Sequence, residues 1–131
     1  MREQPLLFFA CVELLISLGL AWLGVATMYL RVPPLPRVFK RPNYIIKAHI
    51  DYLLMALLLM AFHGIGVPLP AWVVVCAIAG SLANPLLFLV LAAIEQPDYS
   101  PFRWLGITST VGFLLTTLGF GGAAVVVLAG M

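Results

Sequence analysis

The placement of charge constrains this chain more than any other feature of its sequence. Its Asp, Glu, Lys and Arg residues stand at positions 2, 3, 13, 31, 37, 40, 41, 47, 51, 95, 98 and 103 of 131. Three stretches, 14–30, 52–94 and 104–131, carry none. A helix needs about 20 apolar residues to cross a hydrocarbon core of about 30 Å, so each stretch is close to or beyond a spanning length. Composition points the same way. Hydrophobic residues make up 63% of the chain and charged residues 9%, against about 25% charged in soluble domains. So few charges cannot coat a soluble particle, and an all-α integral membrane protein is expected.

The first stretch extends back through Glu13 to Pro5, giving a span near 5–30. Its apolar run is too long for a signal-peptide core, which predicts a retained span. The second stretch is too long for one crossing and is broken by Gly64-Ile65-Gly66-Val67-Pro68-Leu69-Pro70, a run no continuous helix tolerates. It predicts spans at 45–64 and 70–95 joined by a hairpin, and the last stretch predicts a fourth at 104–129. Residues 1–131 thus read as a single four-transmembrane-helix bundle, expected to be homo-oligomeric. The loop 31–44 and the residues flanking it carry Arg31, Arg37, Lys40, Arg41 and Lys47, and loop 96–103 carries Arg103. By the positive-inside rule both loops face the cytoplasm and both termini lie outside. The net charge of +2 comes almost wholly from this one loop region. It is a topology signal, and nucleic acid is not an expected partner. Cys11 and Cys76 lie within apolar spans without a Cys-x-x-Cys pattern and read as small buried hydrophobes.

Polar side chains inside spans are functional candidates because hydrocarbon penalises them. Glu13 lies roughly 12 Å into the first span at 1.5 Å per residue, with Ser17, Gly24 and Thr27 continuing its face. It reads as part of a bundle-facing stripe hydrogen-bonded to a neighbour, or as a proton or cation site. In the second span His49, Tyr52, Ala56, Met60 and His63 share one face. The two histidines stand about 21 Å apart along the axis, so they cannot ligate one ion. His63, beside the Gly/Pro loop, reads as interfacial. His49, one turn inside the basic end, is the candidate ligand. Asp51 points about 200° away from His49 and cannot orient its ring; pairing with Lys47 is one expectation for it. Asn84 and Ser81 precede Pro85, where either side chain can satisfy a freed carbonyl. Met55, Asn84 and Phe88 fall at depths that allow a shared cavity. Thr108, Gly112 and Thr116, then Gly119 and Ala123, form a small-residue face suited to close helix contact, within the bundle or between subunits.

The segment Lys47-Ala48-His49-Ile50-Asp51-Tyr52-Leu53-Leu54-Met55 resembles the second span of the styrene oxide isomerase and hydroxylaminobenzene mutase group of small four-span bacterial membrane proteins. Leu82-Ala83-Asn84 with Phe88 resembles their third span. The resemblance implies a trimer in the bacterial inner (cytoplasmic) membrane, holding ferric haem b between subunits with His49 as axial ligand. The iron then acts as a Lewis acid on a small apolar epoxide, giving an aldehyde without net redox change. It also implies Lys40, Arg41 and Lys47 as partners of the haem propionates, and a substrate pocket drawn from Asn84, Phe88, Met55, Tyr52 and Leu53. The sequence departs from the family at two of these positions. Met55 stands where the family has an asparagine and Phe88 where it has a tyrosine, so two hydrogen-bonding groups are gone. Haem binding therefore carries over better than the specific reaction.

Two other functions compete with this isomerase. A membrane haem protein serving electron transfer, sensing or haem handling needs only the His49 site. A proton-coupled exporter similar to the small multidrug-resistance transporters would use Glu13, early in span one, as its essential acid.

Overall fold

The computed structural model describes residues 4–95 and 103–131. Expectations that fall on Arg2, and on loop residues 96–102, lie outside the described residues. The chain forms α1 (Gln4–Met28), a single turn α2 (Leu35–Val38), α3 (Asn43–Ile65), α4 (Ala71–Ala93), α5 (Trp104–Thr116), a π-helical turn (Thr117–Gly121) and α6 (Gly122–Ala129). Among the described residues there is no strand. α1, α3, α4 and the continuous rod Trp104–Ala129 are four helices long and apolar enough to cross a membrane.

Proline and glycine punctuate these helices where the sequence leads one to expect it. Pro42 and Pro70 occupy the N-caps of α3 and α4, positions where a missing N–H costs nothing. Gly66 ends α3 in the left-handed region at φ 73°, and its N–H donates to the His63 carbonyl at 3.3 Å, the usual glycine stop. Pro85 lies inside α4 without ending it.

α1 packs along α3, α3 on α4, and α4 on α5 and the π turn. The fourth span thus hangs on α4, leaving a cleft between itself and α3. Alternation of the spans brings the described cations, Arg31, Arg37, Lys40, Arg41, Lys47 and Arg103, to one end. There the Arg41 backbone N–H donates to the Ala92 carbonyl at 2.9 Å, and Lys40 pairs with Glu95 at 3.3 Å. Exposed Tyr29 and Trp104 ring this end and Trp72 stands at the other, as amphipathic rings do at membrane interfaces.

Two apolar clusters fill the interior. Leu6, Ala10, Leu59, Val73 and Ala77 form one away from the basic end; Leu20, Ile45, Ala48, Tyr52 and Ala92 form the other. Between them lie Glu13, Ser17 and Ser81, each 0% exposed. The cysteines depart from expectation. Cys11 faces outward and Cys76 is half-buried. A thiol is at home against lipid tails, so an apolar residue in a span is not drawn inward as it would be in water.

The small-residue face of the fourth span packs within the bundle, against α4. A Cβ on Gly80 would stand 2.6 Å from the Thr116 backbone nitrogen, and one on Gly119 would collide with the Ala77 backbone. The π turn holds Gly119 at this closest approach. Thr108, Thr110, Thr116 and Thr117 each donate to the carbonyl four residues earlier, which hides their hydroxyls from hydrocarbon.

Candidate functional site

His49 is held from α1. Its Nδ1 lies 2.7 Å from the Ser17 carbonyl oxygen, and the Ser17 hydroxyl donates to the His49 carbonyl at 2.9 Å. The same hydroxyl is 2.9 Å from Nδ1. A ring nitrogen that close to a carbonyl oxygen carries the proton, since the oxygen can only accept. In the neutral ring Nε2 is then the nitrogen with the lone pair. This is the arrangement of metal-ligating histidines, whose second nitrogen donates to a carbonyl or carboxylate that fixes tautomer and orientation.

The half-buried ring lines a groove of about 180 Å³ between α1 and α3, with Leu20, Gly24, Val25, Met28 and Ile46. Met28 also lines an adjoining cavity of about 380 Å³ that contains Arg31 and Lys40. Of the three cations named for haem propionates, Lys40 alone borders this region. Lys47 turns to the other side of α3, its ammonium 4.4 Å from the Tyr44 ring centre. Arg41 caps the same ring at 4.3 Å and donates from Nη2 to the Tyr44 hydroxyl at 2.7 Å. Arg31, at the end of α1, is the cation that sequence reasoning passed over. Only the fold shows that the end of α1 and the start of α3 border one cavity.

Met55, Asn84 and Phe88 do share a cavity, a cleft of about 660 Å³ bounded by α3, α4 and α5. Lys47 and Asp51 line it as well, and among the described residues no ion pair joins those two. His49 is not part of it. The cleft uses α3 positions 44, 47, 51 and 55, while the groove uses 46 and 49. Tyr52 and Leu53 also lie outside the cleft lining. Tyr52 is buried in the core, donating to the Leu82 carbonyl at 3.1 Å in the turn before Pro85. Neither side chain expected to satisfy the carbonyl freed by Pro85 does so: the Ser81 hydroxyl lies within hydrogen-bond reach of the Ile78 carbonyl and of Glu13 Oε1, with one proton to give, and Asn84 turns toward Gly112.

Glu13 meets Ser81 across the α1–α4 contact. Ser81 Oγ lies 2.5 Å from Glu13 Oε1, and Oε2 is buried without a hydrogen-bond partner. Glu13 borders neither the groove, the cleft nor the cavity at the basic end. It ties α1 to α4 between the two apolar clusters. Glu13→Ala is therefore expected to lower stability by about 1–3 kcal/mol, the range for disrupting a buried hydrogen-bonded group. Glu13→Gln keeps shape and a partner for Ser81 and should melt close to wild type in detergent. A Glu13→Ala protein that melts with wild type would show that the Ser81 contact contributes nothing.

Among the described residues no three His, Cys, Asp or Glu side chains converge to hold a bare metal ion. A cofactor bringing most of its own ligands is the case in which a single histidine suffices. No protein family, no curated protein and no solved structure matches this chain. What the fold defines is an all-helical protein with four helices long and apolar enough to cross a membrane.

Proposed function

We propose that this chain is a membrane haem b protein with His49 as the axial ligand, and that its reaction is the epoxide-to-aldehyde isomerisation implied by its resemblance to styrene oxide isomerase. The observation that carries the reading is the 2.7 Å contact from His49 Nδ1 to the Ser17 carbonyl, which leaves Nε2 as a pre-oriented ligand. The chain's own parts fit the cofactor in three ways. Ser17 fixes the ring, Arg31 supplies a cation for a propionate, with Lys40 beside it able to exchange its exposed Glu95 partner for a second, and Leu20, Val25, Met28 and Ile46 keep water from the ligand. Bound ferric haem would supply a Lewis acid for an epoxide oxygen. The groove of about 180 Å³ is smaller than a ligand pocket of about 300–1,000 Å³. One chain would enclose only part of the macrocycle, which supports a homo-oligomer, a trimer by resemblance, in the bacterial cytoplasmic membrane with the basic end inside.

Haem-loaded protein given a small aryl epoxide should yield the aldehyde with no added reductant or oxidant. Haem binding without aldehyde would leave the non-isomerase haem protein standing. One observation favours that second reading. Met55, Asn84 and Phe88 lie across α3 from His49, so an isomerase needs the cleft of a neighbouring copy to approach the iron. The exporter reading has less support, because Glu13 borders neither the groove nor the cleft.

A further inference from the structure

The cleft between α3 and α5 has a chemistry of its own. Its walls are mainly apolar, with Phe88, Phe113, Met55 and Leu87 among them. Its two charged side chains, Lys47 and Asp51, are in different situations. The Lys47 ammonium sits over the face of Tyr44, 4.4 Å from the ring centre, where the ring quadrupole attracts and holds it. The Asp51 carboxylate is half-buried, and among the described residues no ion pair or hydrogen bond accounts for it. Of the polar groups beside it, Asn84 and Ser109 can both donate and accept. Thr116 spends its one hydroxyl proton on the Gly112 carbonyl at 2.8 Å, so toward the cleft it offers only lone pairs. The cleft therefore holds a cation already seated on Tyr44, an anion with no partner among the described residues, and in Asn84, Ser109 and Thr116 oxygens that can accept from a guest.

We propose that this cleft binds a lipophilic ammonium ion: a protonated amine on an aromatic or alkyl body, with its N–H groups on Asp51 and its body among Phe88, Phe113 and Met55. About 660 Å³ suits a small molecule. A charge-assisted N–H···O contact out of bulk water is stronger than a neutral one, and Phe88 and Phe113 bring two further aromatic rings to the lining, groups that attract cations. An anionic guest would be repelled by Asp51, and could reach Lys47 only in competition with the Tyr44 contact that holds it. The site lies across α3 from His49 and does not rest on the haem reading.

The test uses the full-length protein in detergent, titrated calorimetrically with 4-phenylbutylamine, 4-phenylbutanol and 4-phenylbutyrate. Wild type should bind the amine at least tenfold more tightly than the alcohol, and bind the carboxylate most weakly. Asp51→Asn, close in shape, should reduce amine affinity about tenfold and leave alcohol affinity unchanged. Phe113→Ala should weaken amine and alcohol alike, which reports the cleft by a route that leaves Asp51 intact. Amine affinity unchanged in Asp51→Asn, or carboxylate binding as tight as amine binding, would overturn the proposal. An amine that binds only by coordinating haem iron would shift the Soret band and be indifferent to Asp51→Asn, which also overturns it. Amine binding by a colourless protein would uphold this site while the haem reading fails.

Discussion

Replacing His49 with alanine is expected to abolish haem absorbance while leaving the helical fold in place. The ring is half-buried at the edge of a groove, and its removal leaves no second imidazole within reach. His63, the chain's other histidine, lies about 21 Å along the axis of α3. Adding free imidazole to the His49→Gly protein should restore part of the Soret band, because the groove would admit the missing ligand. The Ser17 contact makes a finer prediction. The acceptor for Nδ1 is the Ser17 backbone carbonyl, which Ser17→Ala retains. That variant should lose haem affinity by no more than the roughly 10–100-fold typical when a partner of a metal-bound histidine is removed. If Ser17→Ala and His49→Ala fell equally, the hydroxyl rather than the carbonyl would be setting the ring. If neither variant changed the spectrum, the haem would be bound elsewhere.

The second large effect belongs to the fourth span. Gly119→Leu places a branched side chain where even a Cβ collides with the Ala77 backbone. Neither helix can yield locally, because the obstruction is main chain and not the end of a flexible side chain. Overpacking a well-packed core costs typically about 1–3 kcal/mol. Here the span also has α4 as its principal support, so the expected result is loss of the α4–α5 contact and a large fall in melting temperature. Gly80→Val should act alike from the other side, against Thr116. Gly121→Ala is the control, since nothing lies within 4 Å of its added Cβ. A protein in which all three variants melt together would refute the close approach. The cleft that includes Asp51 and Asn84 is walled by the same span, so Gly119→Leu should also abolish amine binding.

The spans were legible because charge exclusion and proline–glycine punctuation are local signals that lipid makes strict. Span limits at Met28, Ile65 and Ala71 fall where the composition changes. Legible too was the stripe of Glu13, Ser17, Gly24 and Thr27, which is buried as a face of α1. What periodicity could not supply was partner choice across helices. Ser17 meets His49, and Glu13 meets Ser81, through helix rotations fixed by packing. Without those rotations, Lys47 looked like a neighbour of His49 in sequence, although the two side chains leave α3 on different sides. The π turn was invisible for a similar reason. It coincides with two backbones meeting at Gly119 and Ala77, a tertiary contact that local propensity does not encode. The outward face of Cys11 reflects a hydrophobic rule that loses its direction in a bilayer.

The central claim is tested most directly by titrating haem into the detergent-purified protein and recording its absorbance. The account predicts a Soret band that saturates near one haem per chain or at a fixed fraction of it, with a ferric spectrum typical of histidine ligation and no such band in His49→Ala. Haem that stays unbound, or that binds His49→Ala as well as wild type, would contradict it.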